Sequence, residues 1–213
     1  MMSKEQLDVA LMVILFDSRL TMTDHINRIS ARAMKTLGFL KRNTRDFRDI
    51  PALVTLCRSL VVPTLEYGSV VWSPFYAAHI HQLERVQHKF LRYVAYKLRI
   101  PGENVNYQEL MGLCGLRTLE ARRAWADLAF FSRLVGGALD CPRLVEQVSL
   151  LVPQFHTRHN HLFRVEFSPT NYMYHRPLSR MPREANRFLE SHPGVDFFST
   201  PMASIKRSFF STD

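Results

Sequence analysis

Apolar positions recur at steps of three and four over most of this chain. Ile26, Ile29, Ala33, Leu37 and Leu40 form one such stripe, the signature of an amphipathic helix. Thr21-Met-Thr-Asp24 before it has the form of a capping box. A second helix is expected from Asp49, with Pro51 in its first turn, where a missing N–H costs nothing. Leu53, Leu56, Cys57, Leu60 and Val61 make its apolar face. Pro63 interrupts, and the pattern resumes through Leu65, Tyr67, Val70, Val71 and Trp72 until Ser73-Pro74, so two helical pieces with a bend are predicted. A third helix, Ala77 to Tyr96, turns Ile80, Leu83, Val86 or Gln87, Phe90 and Val94 inward. Pro101-Gly102 breaks the chain. A short helix over Tyr107 to Leu113 follows, and then a long one capped by Thr118 and ending at Gly136-Gly137. Its core is Leu128, Phe131, Leu134 and Val135, with Trp125 partly buried.

The two ends read differently. Val9 to Phe16 is an unbroken apolar run, far short of the roughly 20 residues of a membrane span, and it suits a buried strand. Beyond Cys141-Pro142 one short helix, Arg143 to Leu150, is expected. From Pro153 onward the chain holds six of its eleven prolines. A short strand over His161 to Phe167 and a short helix over Arg183 to Ser191 are predicted in a loosely packed tail. The expected fold class is mainly α, with a short N-terminal strand. The expected divisions are residues 1–20, 21–152 and 153–213.

Composition narrows the class. Apolar types at 46% and charged types at 22% of 213 residues are ordinary globular values. Charge is not ordinary: 28 Lys and Arg against 19 Asp and Glu give +9. Residues 1–100 carry 15 basic and 8 acidic side chains, so a polyanionic partner is expected on that side of the chain. Cys57, Cys114 and Cys141 are too few and too far apart for a disulfide framework or a thiolate zinc site. A reducing, intracellular setting, cytoplasm or nucleus, follows, without secretion or a membrane span.

Little in the chain points to catalysis. No two acidic residues are adjacent, whereas nucleotidyl transfer needs paired carboxylates to hold Mg²⁺. Nucleotide-binding glycine loops, nucleophile elbows and His-Glu-x-x-His are absent. His156, His159 and His161, with Cys141 at a distance, have a metal-like grouping but read as a solvated loop, and Asp17 reads as a turn residue. No metal and no cofactor is expected. The feature that remains is a pair of basic stripes. Arg28, Arg32 and Lys35 repeat at steps of four and three on the first helix, and Arg85, Lys89 and Arg92 do so on the third. Cations one turn apart can follow successive phosphates, although a merely solvated face has the same spacing. Tyr67, Trp72, Tyr76 and Tyr93 could stack on bases, but their helical spacing favours core packing.

Several segments resemble the region after the catalytic palm in reverse transcriptases of non-LTR (LINE-type) retrotransposons, specifically the Jockey-like clade. They are Phe16-Asp-Ser-Arg-Leu-Thr-Met-Thr-Asp-His-Ile26, Leu37-Gly-Phe-Leu-Lys-Arg42, Leu56-Cys-Arg-Ser-Leu-Val61 and Leu65-Glu-Tyr-Gly-Ser-Val-Val-Trp-Ser-Pro74. Leu83-Glu-Arg-Val-Gln-His-Lys-Phe-Leu-Arg-Tyr93, Leu116-Arg-Thr-Leu-Glu-Ala-Arg-Arg123 and Leu139-Asp-Cys-Pro142 follow in the same order, as do Thr170-Asn-Tyr172 and Asp196-Phe-Phe. The resemblance implies a remnant of the last palm strand over residues 1–20, a helical thumb-like domain over 21–152 and a C-terminal extension over 153–213. It also implies that the catalytic aspartates belong to a part this sequence lacks. Leu11-Met-Val-Ile-Leu-Phe-Asp17 lacks the family's Gly and carries one extra residue, as in a decayed or truncated copy.

Two functions follow as expectations. One is a thumb-like module that grips an RNA–DNA hybrid or duplex by its backbone, without regard to sequence, through Arg28, Arg32, Lys35, Arg85, Lys89 and Arg92. The alternative is a helical interaction or structural protein with no nucleic-acid role. In either case no polymerase activity is expected. A primer-extension assay on a primed RNA template should show no dNTP incorporation by the purified chain, and detectable incorporation would refute the reading.

Overall fold

The computed structural model describes residues 14–16, 20–151 and 161–211. Among them it is built of eleven α-helices and one 3-10 turn, Gly102–Asn104, with no strand longer than a single bridge. The helices are α1 Thr23–Asn43, α2 Ile50–Leu60, α3 Val62–Glu66, α4 Ser69–Trp72, α5 Ala77–Lys97 and α6 Tyr107–Leu113. Then come α7 Leu119–Val135, α8 Pro142–Val145, α9 Asn171–His175, α10 Pro177–Ser191 and α11 Met202–Ser211. None of the helices described is long and apolar enough to cross a membrane. The mainly α expectation is met. The strand expected over Val9 to Phe16 lies largely outside the described residues, and Ile14 to Phe16 have no regular structure.

The chain forms two compact units: Met1–Gly68 with Pro74–Glu120, and Ser69–Ser73 with Ala121–Asp213. In the first, α1 and α5 pack side by side and run in the same direction. Gln82 donates to Asn27 at one end (2.9 Å), and Tyr93 and Lys97 reach Thr44 at the other. Ile26, Ala33, Leu37 and Leu40 of α1 are buried, as are Leu83, Val86, Phe90, Leu91 and Val94 of α5. Both faces follow the expected spacing. Gln87 is buried as well, and its Nε2 donates to the Arg117 carbonyl at 2.9 Å. A buried amide of this kind is tolerated because it is bonded.

Local departures have local causes. The first helix starts at Thr23, because Met22 takes a left-handed conformation (φ 58°) and Thr21 Oγ1 accepts from Thr23 N–H and not from Asp24. Pro63 does not kink a continuing helix. It sits in the first turn of α3, the position that needs no N–H. Leu60, expected inside, is 44% exposed, and Val54 is buried in its place. Gly115 is needed twice over: its φ is +57°, and a Cβ there would lie 3.2 Å from the Arg58 guanidinium.

The second unit corrects the expectation of a loose tail. Phe163, Met181, Ala185, Phe188, Phe197 and Ile205 join Leu128 and Phe131 of α7 in one core. Phe131, Phe163 and Phe197 meet with ring centroids 4.8–6.0 Å apart, the range in which aromatic pairs add to area burial. The expected strand reduces to one antiparallel bridge, Leu150 to Phe163. Asn186 of α10 takes the other edge of Phe163, accepting its N–H (2.9 Å) and donating to its carbonyl (2.7 Å). A side chain thus stands where a neighbouring strand would be. Residues 143–150 hold only the short α8 and turns, while the helix expected from Arg183 begins at Pro177 and carries Pro182 inside it.

Arg180 and Asp127 form a two-bonded buried ion pair at 2.7 and 3.0 Å. The same guanidinium donates to the carbonyls of Ser69, Val70 and His175. Burial pushes the Asp127 carboxyl up, although Arg180 pulls it down. Removing one partner leaves an uncompensated buried charge, so Arg180→Ala or Asp127→Ala is expected to cost about 3–5 kcal/mol in urea unfolding. The double variant Asp127→Leu/Arg180→Met should recover only part of that, since the Val70 and His175 carbonyls still lose the Arg180 donor, while Ser69 O keeps the Ser73 N–H.

Candidate nucleic-acid interface

α1 carries five cations and one acid, Asp24, and α5 carries four cations and one acid, Glu84. Glu84 is committed elsewhere in its unit: its Oε1 accepts from the Glu120 N–H in the first turn of α7 (2.9 Å). The six predicted contact residues Arg28, Arg32, Lys35, Arg85, Lys89 and Arg92 are all exposed. Each set of three lies on the side of its helix opposite the buried residues, as 3.6 residues per turn requires. None of the six forms an ion pair with a described carboxylate.

The two sets do not converge in the way their shared spacing suggests. The α1 cation that feels the charges of the α5 stripe is Lys41, which lies roughly 120–180° around the axis from Arg28, Arg32 and Lys35. Burial first, and then the charges of Lys89 and Arg92, push the Lys41 ammonium below the ordinary lysine value. Its Nζ lies 5.5 Å from the Tyr93 ring centroid, and Lys97 Nζ lies 5.2 Å from the same centroid. Lys97 is held there by the carbonyls of Thr44 and Arg45, and the Tyr93 hydroxyl donates to Thr44 O at 2.9 Å. Both side chains add donors to the carbonyls that follow α1, where Thr44 O already accepts the Phe47 N–H. Arg92 donates to the Tyr107 hydroxyl, and the His88 ring stacks on Tyr107 at 4.4 Å.

The seam between α1 and α5 therefore holds two lysines, Lys41 and Lys97, over the one Tyr93 ring, while Tyr107 of α6 stands against Arg92 and His88 of α5. Lys41, Lys97 and Tyr107 were not among the expected contacts. The two lysines sit in last turns, where a cation is explained by the helix dipole alone, and Tyr107 reaches Arg92 only through the tertiary fold. Of the four aromatics weighed for stacking, Trp72 is buried and Tyr93 half-buried, while Tyr67 and Tyr76 are exposed.

Other candidate chemistry is sparse. No group of three or more potential metal ligands occurs among the described residues. His156 and His159 lie outside them, and so does Asp17; His161 pairs with Glu190 at 2.8 Å. The three cysteines are free thiols, and burial pushes Cys57 up to about 12, away from a reactive thiolate. The second unit holds a cavity of about 160 Å³ lined by Leu128, Phe188, Phe209, Glu184, Arg187 and His192. Arg187 is paired with Glu184, and His192 stacks on Phe188. Comparisons with protein-family models, with curated proteins and with solved structures give no match.

Burial, and then the charges of Arg92 and His81, lower the His88 pKa from its ordinary 6.5. The neutral ring is favoured in the folded state, so its stabilising contribution is present above 6.5 and is lost as pH falls through the lower folded value. NMR titration should find the His88 midpoint below 6.5, and Arg92→Gln should raise it. A midpoint unmoved by that change would place Arg92 too far away to matter.

Proposed function

We propose that the chain binds nucleic acid by its backbone, as the resemblance to the thumb region of a retrotransposon reverse transcriptase implies, with no polymerase centre of its own. The observation that carries this reading is the set of six exposed cations without carboxylate partners on two parallel helices. Surface cations that serve only solubility have no need to leave both signs unmixed along two helix faces. Unpaired guanidinium and ammonium groups one turn apart suit successive phosphates, and releasing the counterions those phosphates hold supplies the affinity. The carbonyl bonds from Tyr93 and Lys97 tie the two helices together, so the cations are presented on a bonded pair. The partner is an RNA–DNA hybrid or a duplex, taken without regard to sequence.

Binding of a blunt hybrid duplex should be weak, with Kd of about 10⁻⁴–10⁻⁶ M near physiological salt, and indifferent to sequence. Replacing Arg28, Arg32, Lys35, Arg85, Lys89 and Arg92 by Gln should flatten the slope of log K against log salt by about 0.9 for each phosphate left without its cation. Variants carrying only the α1 or only the α5 replacements apportion the effect between the two faces. Identical slopes for the wild-type and six-fold variant proteins would refute the proposal and favour a helical interaction protein with a basic coat.

A further inference from the structure

The outer faces of α1 and α5 share more than three cations each. On α1 the exposed face reads Arg28, Arg32, Lys35, Phe39, Arg42, and on α5 it reads Arg85, Lys89, Arg92, Tyr96, with Arg99 two residues past the helix end. In both, an aromatic ring follows the first cation by eleven residues and an arginine follows it by fourteen. All ten side chains are exposed, with Phe39 at 56% and Tyr96 at 75%. Arg99 lies just past the end of α5 in a left-handed conformation (φ 59°), its N–H bonded to the Tyr96 carbonyl at 3.1 Å. Isolated exposed rings are common on protein surfaces. A ring at the same step of two cationic faces, each followed by arginine, is a repeated arrangement.

We propose that each face is a track for single-stranded nucleic acid, in which phosphates lie along the three cations and an unstacked base lies on the ring of Phe39 or Tyr96. This rests on the backbone-binding reading and adds a class of ligand to it. A duplex presents phosphates but keeps the flat faces of its bases inside the stack. A ring on the outside of a helix reaches a base face only where the strand is open. An acidic peptide would match the cations but offers the ring no regular series of flat π surfaces. A single strand offers both at once. Arg42 and Arg99, following the rings, add a guanidinium plane on which a further base can stack. Stacking of this kind does not depend on base identity, in keeping with the sequence-neutral contacts of the cations.

The experiment compares a twelve-nucleotide oligo-dT, an oligo-U of the same length and an abasic strand with the same number of phosphates, alongside the blunt hybrid duplex, by fluorescence anisotropy at several salt concentrations. The base-bearing strands should bind the full chain about fivefold or more tighter than the abasic strand; a gain with either sugar supports the track. Phe39→Ala/Tyr96→Ala should bring that ratio close to one while leaving the salt slope unchanged, and Phe39→Trp/Tyr96→Trp should preserve it. Equal affinity for base-bearing and abasic strands would overturn the single-strand track and leave duplex binding standing. So would an unchanged ratio in the double alanine variant, including the case in which that variant instead converts a dimer to a monomer in sedimentation. Failure of every strand and of the duplex to bind would overturn both proposals.

Discussion

A helix that stops inside a protein leaves its last carbonyls without partners, and this chain stops its helices often. Backbone turns close part of these ends, and long side chains from other helices add donors to the carbonyls around them. Lys97 and Tyr93 of α5 do so for the end of α1. Arg58 of α2 does so beyond α6, through the Cys114 and Gly115 carbonyls. Arg180 of α10 serves the His175 carbonyl at the end of α9 and those of Ser69 and Val70 in α4, while holding Asp127. A cation at a helix C-terminus also meets the negative end of the dipole, so the Lys97 contact beyond α1 is favoured twice. Both compact units depend on this device.

The same device divides the basic residues into two populations. Arg58, Lys97 and Arg180 are bonded to carbonyls and hold the fold. Arg28, Arg32, Lys35, Arg85 and Lys89 are exposed, and among the described residues Arg92 is bonded to Tyr107. Lys41 stands between the two groups: half-buried near the Tyr93 ring, its ammonium is held below the ordinary lysine value by burial and then by the charges of Lys89 and Arg92.

The second unit shows how polar groups can replace regular structure. Asn186 completes the hydrogen bonding of Phe163 and lets one extended residue enter an aromatic core without a sheet. The proline-rich composition of this region reads as looseness along the chain. In space it marks starts of helices: Pro177 opens α10, and Pro201 stands immediately before α11. Phe163, Phe188 and Phe197 are too widely separated in sequence to form any period, so the core they build is invisible until the chain is folded.

The sequence by itself determined the helices of the first unit, because burial there is set within each helix. Ile26 to Leu40 and Leu83 to Val94 place their apolar side chains on one face whatever the rest of the chain does, and the basic stripes then fall on the opposite face. It determined in the same way that the six cations are exposed. Tertiary structure alone decided which cations meet. Lys41 feels the charges of Lys89 and Arg92, while the α1 stripe faces elsewhere, because the way the two buried faces pack, with Asn27–Gln82 and Thr44–Tyr93 bonded at the two ends, is not encoded in either helix alone. It also decided that the tail forms a core and that Asp127 is buried, since an isolated acid among apolar positions is tolerable only when a guanidinium 53 residues away is folded onto it.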